Sequence, residues 1–381
     1  MTRSLRTTAV PAALALLALT ACVDPKPGDT GVTPVYVYDE TSHSVLVWND
    51  INTLYAAAGG AAPAPDRTIT SDGWLSNREA LAWGGMVLNP SANLLYMVFE
   101  DGTVVRVSNA SNRNGNLNQT ADIIYFTLGS ASNTSDHLTS YWYDQAGLDP
   151  TTGTLYALEK GASNTSRIWV VASPALLYNG AVVPTGSFIT NDLTSDTGGS
   201  GMTVGSSGTV MAWFKGGNQL TDPLGTNYEG IRMRLSTGSN FAKNSNVLIG
   251  SQTSLGDDTS TYASMAYDSV FNRLYLMRQT ASGAPIASYR QSQFSLGTFN
   301  QAPYATVAGG SLPSLRFIAH ARTKDWMAGG DYTPATTGSG TGTNVLRIWK
   351  APSSGASAPS PVEVTLGSTV TIRGVALDGS K

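Results

Sequence analysis

An all-β, repetitive fold is what this sequence predicts, and three observations carry the prediction. Charged residues are only 13% of the 381-residue chain while glycine alone counts 40, a balance that disfavours coiled coils and helical bundles. Apolar residues, at 41%, are too many for a disordered polymer. Short apolar runs alternate with Gly/Asn/Asp/Ser turns, and no 3.6-residue apolar period persists for the length of a helix. The third observation is an internal repeat. WGGMVLNPSANLLYMV, QAGLDPTTGTLYAL, SGMTVGSSGTVMAW, SMAYDSVFNRLYLM and FIAHARTKDWMAGG each join a small, apolar strand to a second strand through a polar turn, and the terminal IRGVALDGSK begins a sixth copy. Aligned on that turn, Asn89, Asp149, Gly205, Asp268, Ala321 and Asp378 are in register at spacings of 60, 56, 63, 53 and 57 residues.

Each complete unit continues into a third strand (104–107, 167–170, 231–234, 286–289 and 345–349) and a fourth, read in YFTLGS, SFITND, VLIGSQ, YATVAG and VEVTLGS. Four short strands repeated at this period are the pattern of a β-propeller blade. The sixth unit is split: IRGVALDG supplies a first strand with nothing after it, and VYVYDETSHSVLVW near the N-terminus supplies a second and third with no first. Joining them predicts one domain over 34–381, a six-bladed propeller closed by pairing the chain ends, which leaves no open sheet edge in the ring. The strands GVALD and VYVYD, and the run GLDPTTGTLYAL, resemble the NHL and YVTN types of propeller repeat. That resemblance implies the fold and no particular activity. The Gly-His and Trp-Asp marks of the WD type are missing, a kelch-like Gly329-Gly330 closes the second strand of one blade, and no sialidase box occurs.

The first 22 residues, MTRSLRTTAVPAALALLALTAC, place Arg3 and Arg6 before an apolar run of 11 residues at 9–19. Such a run is too short to span a bilayer, which takes about 20 residues, and has the form of a secretory signal. Its end, Leu19-Thr20-Ala21-Cys22, resembles the bacterial lipobox, and Cys22 is the chain's single cysteine. The resemblance implies a signal peptide over 1–21, diacylglycerol on the Cys22 thiol and an acylated new amine. A Pro/Gly/Asp-rich stretch to residue 33 then reads as a flexible tether. The expected setting is a membrane outer face in a bacterial envelope, with the lipid as membrane contact and an envelope protein as partner. A formal charge of −3 without any Lys/Arg block argues against nucleic acid.

The motifs of common catalysts are missing: no nucleophile elbow, HExxH, EF-hand loop or Cys/His zinc cluster occurs. GSGTG at 338–342 lies between a second and a third strand with no helix to follow, so it reads as a hairpin tip. Trp48, Trp169 and Trp349 recur at the ends of third strands, as blade-to-blade packing requires. The face bearing second-to-third-strand hairpins collects Asp39, Glu40, His43, Glu100, Asp101, Asp136, His137, Glu159, Lys160, Asp257, Asp258 and Asp331, an acidic rim that suits cations or merely solvated turns. On it, His43 and His137 with Asp136 are candidate copper or zinc ligands. Five residues before the aligned turn stand Gly84, Asp144, Ser200, Ala263, Arg316 and Arg373, at the entrance of the central channel. Arg316 and Arg373 there either hold an anion bidentately or are neutralised by Asp144 and nearby carbonyls. His320 falls on the opposite face and reads as a packed, hydrogen-bonded residue.

These features point first to a lipid-anchored, non-catalytic binding or scaffold module within an outer-membrane or surface-layer assembly. The second reading is an envelope enzyme with a metal on the acidic face, either copper for redox work such as superoxide dismutation or calcium for hydrolysis. The expected Glu/Asn/Asp ring of a six-bladed calcium lactonase is not matched at the channel positions. A sugar- or quinone-cofactor dehydrogenase is a third reading, by fold analogy alone.

Overall fold

The protein is described here by a computed structural model covering residues 32–73, 75, 80–118, 121–130, 137, 141–161, 166–184, 188–189, 199–205, 209–214, 230–234, 246–247, 262–279, 286–293, 302–307, 314–321, 324–333, 340–353 and 360–380. Six antiparallel sheets succeed one another along the chain. Blade 1 runs outward as Ile372–Leu377, Val35–Asp39, Ser44–Trp48 and Arg67–Thr70; blade 2 as Leu81–Asn89, Leu94–Phe99, Thr103–Ser108 and Ile123–Leu128. Blade 3 comprises Trp142–Leu148, Leu155–Lys160, Ser166–Val171 and Phe188–Ile189, and blade 4 Gly199–Val204, Val210–Phe214, Gly230–Arg234 and Asn246–Val247. Blade 5 is built from Tyr262–Asp268, Arg273–Gln279, Ile286–Arg290 and Ala305–Thr306, and blade 6 from Leu315–His320, Trp326–Thr333, Thr341–Lys350 and Val362–Thr365. The six first strands touch in cyclic order, blade 1 to 2 and on to 6, then 6 back to 1. They form the wall of a central axis, and the fold is a β-propeller.

The repeat is visible in the pairing register. Val87 lies opposite Tyr96, Gly147 opposite Tyr156, Ala266 opposite Tyr275, Ala319 opposite Ala328 and Ala376 opposite Tyr36, the same offset from the aligned turn each time. Blade 4 is offset by one residue, with Met202 opposite Ala212. The turn itself is an Asx device. Asp149 accepts from the Thr151 amide and the Thr152 hydroxyl, Asn89 from Ser91 and Ala92, and Asp378 from Ser380. A short side-chain acceptor at that one position closes the chain on itself, which is why Asp or Asn recurs there.

Close approach of neighbouring first strands demands small residues. A Cβ on Gly147 would stand 2.6 Å from Val204 Cγ2, and one on Gly374 would stand 2.6 Å from Leu81 Cδ2. The apolar clusters lie between blades and not within them: Trp48 packs with blade 6 residues, Trp169 with blade 2 and Trp349 with blade 5, all three buried. Their periodic spacing is thus interblade packing, as expected. Three features have no counterpart in the sequence reading. A five-residue helix, Ile51–Tyr55, is capped by Asp50 and lays Tyr55 edge-on to Trp326. Two short strands, Gly115–Asn116 and Ala181–Val183, pair parallel to the outer strands of blades 1 and 2 and cover those edges. Among the described residues no helix is long and apolar enough to cross a membrane.

Candidate functional site

The axis holds two distinct environments. Towards the hairpin face it is filled with charge and aromatic rings. The Arg373 guanidinium lies over the Trp83 indole at 3.9 Å and that of Arg316 at 5.3 Å. Arg316 Nη2 donates to Asp144 Oδ1 at 3.0 Å, and the other Asp144 oxygen takes Lys160. Burial would raise the Asp144 carboxyl, but Arg316 and Lys160 outweigh it and hold the group below its ordinary value. Arg373 donates to Glu100 Oε1 at 2.7 Å and to the carbonyls of Leu81 and Gly340, with Glu40 at 3.4 Å. The structure therefore brings Asp144 to Arg316 but sets Arg373 against a different pair of carboxylates. Both guanidiniums are engaged from within the protein, and an incoming anion competes with carboxylates already in place.

Beneath this layer Gln145 reaches across the axis. Its Nε2 donates to Ser264 Oγ at 2.6 Å, its Oε1 accepts from the Met202 amide at 2.7 Å, and Ser264 Oγ also accepts from the Ile318 amide at 3.2 Å. The Gln145 amide and the Ser264 hydroxyl together tie blades 3, 4, 5 and 6. From Gln145 outward to the turn face the axis is an open cavity of about 460 Å³. All six blades wall it, with Met86, Met202, Met265, Ile318, Leu148 and Val375 among its apolar lining, and Ser91, Pro150 and Ser380 at its rim. The volume falls in the ~300–1,000 Å³ range of small-molecule sites. Gln145 was not singled out by sequence; its place one residue after the channel position Asp144 was the available signal.

Among the described residues of the acidic hairpin face, Glu159 and Asp331 are engaged by internal partners. Glu159 accepts from Arg167 Nε at 2.6 Å and from Trp169 Nε1 at 2.7 Å, and it faces His137 Nδ1 at 3.2 Å. His137 stacks on Tyr141 with ring centroids 4.0 Å apart. His43 lies 3.4 Å from the Tyr38 hydroxyl. Asp331 takes a two-pronged contact from Arg347. Asp136, Asp257, Asp258 and Cys22 lie outside the described residues, as do the signal peptide and nearly all of the tether.

Among the described residues, the group of potential metal ligands that converges is instead on the turn face: Asp268, His320 and Asp325, whose ligand atoms all lie within 4.8 Å of one another. Asp268 ends the first strand of blade 5, His320 ends that of blade 6, and Asp325 precedes the second strand of blade 6. His320 Nε2 is 3.5 Å from Asp268 Oδ2, and its ring stacks against Tyr275 at 5.3 Å. Burial raises the Asp268 carboxyl to about 7, and burial raises Asp325 as well. His320, read from sequence as a packed residue, also lines the axial cavity. The signal was the histidine's position beside the aligned turn, one blade on from an Asp at that turn.

No family model matches the chain, and no curated protein sequence does. Among solved structures, a chain from the crystal structure of a nidogen/laminin complex is similar over 91% of this protein and 98% of that chain, with 9% identity and a TM-score of 0.47.

Proposed function

We propose that the protein is a non-catalytic binding module, held in a bacterial cell envelope by a lipid on Cys22, that receives a small and largely apolar ligand in its axial cavity. The observation that supports this reading is the cavity itself: enclosed by all six blades, floored by the Gln145 bridge and open at one face. Apolar walls with a few convergent polar groups, here Gln145, Thr203 and His320, are the usual make-up of a ligand pocket. A ring of six sheets also makes a rigid disc, and the face opposite the cavity mouth is left for an envelope partner. Titration with the neutral fluorophore N-phenyl-1-naphthylamine tests the pocket. The wild type is expected to bind one equivalent saturably, and Ala319→Trp and Ala146→Trp, which fill the cavity from two blades, to lose that binding. Binding undiminished in both variants overturns the proposal. Native mass spectrometry of the purified protein then gives the mass of any ligand it carries.

A further inference from the structure

We infer that Asp268, His320 and Asp325 bind one divalent first-row transition metal ion at the junction of blades 5 and 6, on the turn face. The repeat provides the internal comparison. In the equivalent turn of blade 3, Asp149 uses both carboxylate oxygens locally, the second on the Thr152 hydroxyl. In blade 5 the residues at those places are Val270 and Phe271. Their amides engage Asp268 Oδ1 at 2.8 and 3.1 Å, and neither side chain carries a hydroxyl to offer Oδ2 as Thr152 does in blade 3. That oxygen is buried, accepts no hydrogen bond and faces His320. An unsatisfied carboxylate oxygen in the interior is costly, and a cation removes the cost.

The geometry fits such an ion. Metal–ligand distances of about 2.0–2.2 Å in a tetrahedral arrangement place neighbouring ligand atoms ~3.4 Å apart, and His320 Nε2 stands 3.5 Å from Asp268 Oδ2. Asp325 is oriented from behind, accepting from the Ser353 amide at 3.1 Å and the Ser353 hydroxyl at 2.7 Å. A carboxylate has roughly four acceptor sites, so ligation remains open to it. Hydrogen bonds that orient a ligating carboxylate, as those from Ser353 do, are the usual second layer of a metal site. Arg273 acts electrostatically on both carboxylates and offsets one negative charge, leaving the other for the ion. One imidazole with two carboxylates favours zinc and its neighbours over calcium or magnesium, which take oxygen alone. His320 also forms part of the wall of the axial cavity, so the cluster adjoins that space.

The test uses the full mature chain, stripped with chelator and titrated with Zn²⁺ against a chromophoric competitor, with no cavity ligand present, so its result is independent of the fluorophore experiment. The expected result is one equivalent of Zn²⁺, abolished by His320→Gln and by Asp268→Asn and kept by His43→Ala and His137→Ala. Ser353→Ala, which leaves all three ligands in place, should weaken binding about 10- to 100-fold. Should the ligand variants fold poorly, the visible spectrum of Co²⁺ added to the wild type reports the imidazole–carboxylate site directly. No stoichiometric uptake by the wild type overturns the inference, as does unchanged uptake by His320→Gln. Loss of uptake in His43→Ala and His137→Ala with the cluster variants unaffected would overturn it too, moving the metal to the hairpin face.

Discussion

Val375 lies directly opposite Val37, so the C-terminal strand is the inner strand of the sheet that the N-terminal segment begins. Both residues are buried, in the cluster shared by blades 1 and 6. The ring closes by hydrogen bonds between the two ends of the chain and not by a covalent tie. Deleting residues 370–381 removes that strand and leaves Val35–Asp39 as an exposed apolar edge. The expected outcome is aggregation, or a fall in thermal midpoint far larger than trimming a frayed terminus produces. Scanning calorimetry with light scattering decides it, and unchanged melting with full solubility would refute closure at this seam.

Gln145 is the axial counterpart of that seam. Gln145→Ala strands the Met202 amide and one partner of Ser264 in a buried site, at a cost of about 1–3 kcal/mol. Ser264→Ala strands the Gln145 and Ile318 donors and costs a similar amount. Because both break one network, the double variant should be less destabilised than the two single losses added together. Urea denaturation of the four proteins measures the coupling. Strict additivity would mean that the bridge does not form in solution.

Asp144 sets an acid limit. Its carboxyl is held below the ordinary value of 3.8 by Arg316 and Lys160 against the opposing effect of burial. A group lowered in the folded state contributes stability that is present above the unfolded value and lost as pH falls through the folded one. Asp144→Asn should cost about 3–5 kcal/mol at pH 7, because it leaves buried cations without their partner. The gap between variant and wild type should narrow below pH 4. Denaturation midpoints at pH 7, 5 and 3 supply the comparison, and a gap independent of pH would refute the ion pair as its source.

What was legible in the sequence was what repeats. The Asx turns at Asn89, Asp149, Asp268 and Asp378 fixed the alignment, the alignment fixed the strand order, and the split unit predicted the pairing of residues 372–377 with 35–39. Sidedness followed from the same bookkeeping, which placed His320 on the face opposite His43. The departures from the repeat were not legible. Gln145 bonds to Ser264, and Asp268 meets His320 and Asp325, because the ring brings different blades together; the register marks where these residues sit, but no spacing names their partners. The ion pairs of the acidic rim were illegible for a related reason. Glu40, Glu100, Glu159 and Asp331 look exposed in a linear reading, but arginines on inner and third strands take them up.

The proposed anchor rests on Cys22. A mature N-terminus bearing two or more acyl chains is held stably, since each buried CH₂ adds about 0.8 kcal/mol and a single chain binds only marginally. On the proposed reading, the stretch from 22 to 33 would join that anchor to the propeller. Cys22→Ser removes the thiol on which the first lipid is built, so the variant should keep residues 1–21 and carry no acyl mass. Wild-type protein should partition into detergent and begin at an acylated Cys22, and mass spectrometry of the N-terminal peptide reads both properties at once. Folding of the propeller should be indifferent to the change, because the first strand of the described structure begins at Val35; the variant's thermal midpoint is expected to match that of unlipidated wild-type domain. An unmodified wild-type terminus downstream of Cys22 would refute the lipid and with it the envelope attachment.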